Sequence, residues 1–122
     1  MRLDIQSRSF PLTRYLRRHV ERRVHFALDQ VEPRVTTVTI RLVDLNGPRG
    51  GIDKHCGVVV RLADGRVVVV RETDDCAYRV VDRATTRMKR RVKESLKRHR
   101  DRRRGRETIR RSLPRDADDG AD

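Results

Sequence analysis

The sequence predicts an α+β domain in the order β-α-β-β-β-α, a four-stranded sheet with two helices on one face. Three observations predict it. Two stretches repeat their apolar residues at three- and four-residue steps, four others alternate or run rich in valine, and turn formers separate them. At 122 residues there is room for one domain and a tail, and a charged fraction of 40% against 35% hydrophobic leaves only a small core.

Residues 2–7 set Leu3 and Ile5 against Arg2, Asp4 and Gln6, the period-two pattern of a short half-buried strand. Phe10-Pro11-Leu12-Thr13 breaks that pattern and offers a helix start. From about residue 12 to 30, Leu16, Val20, Val24, Ala27, Leu28 and Val31 form a stripe down one helical face, with Arg14, Arg18 and Arg22 on another. Pro33 stops this helix. In residues 35–45, Val38, Ile40 and Leu42 point one way and Thr37, Thr39 and Arg41 the other, so this strand has one face on a core. Residues 46–55 are rich in turn formers and basic groups and read as a loop. The valine-rich runs 57–63 and 66–72 are joined by Asp64-Gly65, which suits a two-residue hairpin turn because Gly accepts positive φ.

Asp74 and Asp75 are placed to cap the second helix and to meet the positive end of its dipole. Val81, Ala84, Met88, Val92 and Leu96 give it an apolar face, and Arg79, Arg83, Arg90, Lys93 and Lys97 project from the opposite side. Past Arg100 the stripe ends. Disorder is expected from about residue 104, because such sequence cannot offset the chain entropy of ordering. The expected division is a domain over 1–103 and a basic, then acidic, tail over 104–122.

Charge decides which partners to consider. Sixteen of the 33 residues from 79 to 111 are Lys or Arg and four are acidic, so this stretch carries +12 of the chain's +13. Charge concentrated on one segment builds a local field that suits a polyanion, nucleic acid first. Charge runs are most often solvated faces, but those mix signs, and between residues 79 and 100 the only acids are Asp82 and Glu94. Arginine makes up 27 of the 31 basic residues and suits bidentate phosphate contacts. A GC-rich genome would produce the same bias, so the location of the charge carries the argument. Phe10, Tyr15, Phe26 and Tyr78 are the whole aromatic supply, which favours backbone and shape recognition over the reading of bases.

The remaining features have bland readings beside sharp ones. Cys56 and Cys76 are not in a CxxC spacing and read as two small buried residues; a metal site with His55 would need two more ligands from unrelated positions. The three glycines of the 46–55 loop allow a phosphate cradle, but the loop lacks the strand-to-helix context of a nucleotide-binding loop and reads equally as a connector. Asp53, Lys54 and His55 have no nucleophile or second carboxylate beside them, so an ion pair or an RNA contact outranks catalysis. Tyr78 either stacks on a base or packs at the sheet edge. No apolar run approaches the roughly 20 residues of a membrane span, and no signal-peptide core is present, so a cytoplasmic protein without membrane contact is expected.

The element order, the second helix opening at Tyr78-Arg79-Val80-Val81-Asp82, the first helix's Thr13, Leu16, Val20 and Arg22-Arg23, and the segment from Asn46 to Cys56 together resemble the ribosome hibernation factors. This family of ribosome-associated inhibitors is also called sigma-54 modulation proteins, and the likeness is to a short form, over roughly residues 1–100. The resemblance implies a fold similar to the double-stranded-RNA-binding domain and docking on the small ribosomal subunit, on rRNA, in the channel used by mRNA and tRNA. No constellation of acid, base, nucleophile or metal ligands can be assembled from the sequence, so no catalysis, cofactor or small-molecule substrate is expected. Carried over by position, the RNA-binding residues are Arg79, Arg83, Arg87, Arg90, Lys93 and Lys97 in the second helix and Arg14, Arg18 and Arg22 in the first, with Arg49 and Lys54 from the loop. The chain departs from the family in its Arg-rich helix, its Gly-rich middle loop and the lack of a C-terminal dimerisation domain, which implies a monomer. The alternatives are a general duplex-RNA- or DNA-binding protein and a regulatory protein-interaction module.

Overall fold

The computed structural model describes residues 1–9, 11–45 and 53–112, with side chains as far as residue 98. The expected order of elements is the observed one: β1 (Arg2–Arg8), α1 (Arg14–Leu28), a 3-10 turn (Asp29–Arg34), β2 (Val35–Asp44), β3 (Lys54–Leu62), β4 (Val67–Asp74) and α2 (Ala77–Ser112). Thr13 starts α1, its hydroxyl accepting the Leu16 N–H at 3.1 Å and so satisfying one of the helix's orphan donors. The helix ends at Leu28, and the chain tightens into the 3-10 turn that carries Pro33, which has no N–H to continue an α-helix.

The sheet order is β1-β2-β3-β4, with β1 parallel to β2 and the other pairs antiparallel. Parallel pairing needs a crossover, and α1 provides it. In register, Val38 meets Val60 and Val68, and Ile40 meets Val58 and Val70, so three strands give one continuous valine-rich face. Leu16, Val20, Val24 and Leu28 of α1 and Val81, Ala84, Met88, Val92 and Leu96 of α2 bury against it. Every residue of the expected apolar stripe on the second helix is in this core.

The next two rows of the same face change character. Leu42 and Cys56 are followed by Glu72, and Asp44 and Lys54 by Asp74. The helix-covered side of the sheet therefore ends in carboxylates, and α2 begins above them and runs back along β4.

Three local expectations are corrected. The β3–β4 loop has three residues rather than two: the Gly65 N–H donates to the Leu62 carbonyl and the Leu62 N–H to the Arg66 carbonyl, with Gly65 at φ 91°. That is a tight turn closed by one left-handed residue, a position where glycine avoids the Cβ penalty. β3 starts at Lys54, so Lys54 and His55 are strand residues, while residues 46–52, Arg49 among them, lie outside the described ones. α2 itself runs to Ser112, past the end of its apolar stripe. Arg, Lys and Glu are good helix formers, the lone Gly105 costs only about 1 kcal/mol relative to Ala, and the next proline is Pro114. The remainder of the expected tail, 113–122, is outside the described residues. Cys56 is buried as expected, but Cys76, just ahead of α2, is partly exposed.

Candidate nucleic-acid interface

The start of α2 is wired to the sheet. The Asp74 carboxylate accepts from the N–H groups of Asp75 and Cys76, which shapes the turn into the helix, and the Cys76 carbonyl accepts from Val80 N–H. Arg79 donates to Asp74 at 2.9 Å and to Asp75 at 2.7 Å. Arg83 bridges Asp74 at 3.2 Å and Glu72 at 3.3 Å, and Arg87 reaches Glu72 at 2.8 Å. The Arg79 hydrogen bond, with further ones from Asp75 and Arg83, holds the Asp74 carboxyl well below the usual carboxylate range. Asp74, and then Asp75, raise Arg79 in return. Three of the expected RNA contacts, Arg79, Arg83 and Arg87, are thus matched by three carboxylates of the same molecule. The signal was in the sequence: Glu72 and Asp74 continue the period-two alternation of Val68 and Val70, which places them on the helix side.

The α1–α2 seam consumes another acid. Asp82 lies 2.6 Å from His19 Nε2 and 3.2 Å from Arg23 Nε, while Arg23 also donates to the Asp82 carbonyl and the Thr86 hydroxyl. Tyr78 packs edge-on against His19 at 5.1 Å between ring centroids, so it braces α1. Sequence reasoning did not find His19 or the role of Arg23, because a contact between residues about sixty positions apart leaves no local pattern.

What stays open is the outer side of the two-helix layer. Arg90, Lys93 and Lys97 on α2 and Arg14, Arg18 and Arg22 on α1 are exposed and have no carboxylate partner among the described residues. Arg14 lies over the exposed Tyr15 ring at 5.9 Å. Lys54 does not join this surface. It turns inward, 2.9 Å from Asp53 and 3.4 Å from Asp44, and the Asp53 hydrogen bond raises its pKa. Burial, with Glu72 nearby, pushes the Cys56 thiol up to about 12, which keeps it protonated. Among the described residues no group of His, Cys, Asp and Glu could hold a metal ion, and no helix is long and apolar enough to cross a membrane.

A small sheet carrying a two-helix layer, whose outer side holds cations without carboxylate partners among the described residues, is a basic α+β module whose chemistry suits a polyanion. The chain belongs to the family described as Sigma 54 modulation protein / S30EA ribosomal protein, which matches residues 3–104. Its fold is similar to the N-terminal domain of Thermus thermophilus Protein Y, with a TM-score of 0.63 at 22% identity over 77% of this chain and 98% of that one. It is also similar to a ribosomal subunit interface protein from Coxiella burnetii, with a TM-score of 0.65 at 15% identity over 79% and 99%. Among curated proteins, no sequence matches the chain.

Proposed function

We propose that this protein is a ribosome-associated, non-enzymatic RNA-binding protein that docks on small-subunit rRNA and blocks the channel for mRNA and tRNA, as in ribosome hibernation. The observation that carries the reading is the outer side of the helix layer, where Arg18 and Arg22 of α1 and Arg90, Lys93 and Lys97 of α2 stand exposed without carboxylate partners among the described residues. Membership of a family named for a ribosomal protein supports it, as does the likeness to a subunit interface protein. The mechanism is steric and electrostatic. The sheet and its core hold two helices rigid, their cations neutralise phosphates along an RNA backbone, and the bound domain fills space that another ligand needs.

Sedimentation of cell extracts through sucrose gradients tests the reading, and migration with the small subunit or intact ribosomes is the expected result. Changing Arg90, Lys93 and Lys97 together to Glu should abolish that migration while thermal unfolding stays close to the original. These three are the right choice because none has a carboxylate partner among the described residues, whereas Arg83→Glu would set a third carboxylate against Glu72 and Asp74. Absence of the unsubstituted chain from every ribosomal fraction would sink the proposal. Competition separates it from general nucleic-acid binding: purified subunits should displace duplex RNA easily.

A further inference from the structure

Phe26, near the C-terminal end of α1, is 74% exposed although it is one of only four aromatic residues in the chain. It lines a cleft of about 430 Å³ between the end of α1 and α2, together with His25, Asp29, Gln30, Lys89 and Lys93. That volume falls inside the roughly 300–1,000 Å³ range of small-ligand sites. The Lys89 ammonium lies over one face of the Phe26 ring, 5.7 Å from its centroid, and the residue nonetheless stays mostly exposed to solvent. A second depression, beside Arg83, Arg87 and Arg90, is lined also by Glu72 and Asp82 and so mixes both signs.

We propose that the Phe26 cleft takes one unpaired nucleobase of the bound RNA, stacked on the Phe26 ring, with the adjoining phosphate on Lys89 and Lys93. The inference rests on the RNA-binding reading and deepens it by adding a subsite for an unstacked nucleotide. A solvated phenyl ring beside two ammonium groups combines the two elements of single-strand recognition, a π-face for a base and positive charge for the backbone. The cleft is also polar in a directed way. Asp29 repels phosphate and accepts N–H groups, so it suits the amino edge of guanine, adenine or cytosine, while the lysines take the backbone. Lys93 belongs to the uncompensated surface as well, so the subsite is continuous with the main interface. The expectation that the few aromatics favour backbone over base recognition is thereby qualified at one position.

The chain has no tryptophan, so Phe26→Trp introduces a single reporter at the exposed position without disturbing the core. The full chain and its variants are titrated with a short single-stranded oligoribonucleotide and with a duplex of the same sequence, binding being followed by anisotropy of the labelled RNA. Saturation with the single strand should quench the F26W emission, and saturation with the duplex should leave it. Phe26→Ala should weaken single-strand binding roughly 5- to 150-fold, the range for losing one base–aromatic stack, and leave duplex binding unchanged. Phe26→Tyr should keep the affinity and Phe26→Leu, equally apolar but without a π-face, should not. Unquenched F26W emission at saturation, or a Phe26→Leu variant that binds like the original, overturns the subsite while leaving the RNA-binding reading intact. Failure of the unsubstituted chain to bind either RNA removes both.

Discussion

Asp74 shows how much one side chain can organise. Its carboxylate shapes the turn into α2 through two backbone N–H groups and holds Arg79 and Arg83 against the sheet. Its folded-state pKa lies below the ordinary value of 3.8, so the unfolded chain binds this proton more tightly than the folded one. The stability it contributes is therefore present above about pH 4 and is lost as the pH falls further, toward the folded value. Urea unfolding at about pH 6 and about pH 2.5 should show Asp74→Asn losing less stability across that interval than the unsubstituted chain. Equal losses would mean that the Arg79 and Arg83 pairs contribute nothing that protonation can remove. At the same scale, sequence reading was right about the burial of Met88 and Val92 and the exposure of Lys93 and Lys97, because helical period alone sorts those sides. It overestimated the free charge of Arg79, Arg83 and Arg87, whose partners come mostly from the preceding strand.

Between elements, the seam of α1 and α2 depends on Asp82, which pairs with His19 and Arg23. The acid is partly exposed, so solvent weakens each contact, and Asp82→Ala is expected to cost about 1 kcal/mol. Hydrogen exchange should locate the loss: amides of α1 should exchange faster while those of β2 and β3 keep their protection. Uniform loss across both layers would show that the seam is not a separable contact. The element order was legible because each piece has its own period. Strand order and the parallel β1–β2 pairing were not, since pairing is chosen by what α1 can bridge and by matching valine rows, and both are properties of several segments at once. α2 outruns its apolar stripe for a different reason. The loss of an apolar stripe after Leu96 removes a packing partner, but it does not remove helix propensity, which continues in the basic sequence as far as Ser112.

For the whole molecule, the surplus of positive charge sits on one layer, yet only part of it is available. With Arg18, Arg22, Arg90, Lys93 and Lys97 neutralising about five phosphates, log affinity for RNA should fall against log salt with a slope of about −3.5 to −4.5. Removing Arg90, Lys93 and Lys97 should flatten that slope toward about −1.5, and a slope near zero for the unsubstituted chain would contradict phosphate binding altogether. By itself the sequence determined the α+β class, the order of strands and helices along the chain, most of the residues that the two helices and β2 bury, and the presence of a cationic helix. Those follow from local period, turn chemistry and charge density, which need no knowledge of neighbours. Only the tertiary structure decided which cations remain free. A carboxylate offsets the charge of whatever lies within a few ångströms of it, and the fold brings Glu72 and Asp74 under the start of α2 while leaving Arg90, Lys93 and Lys97, and the outer side of α1, without a counter-charge among the described residues.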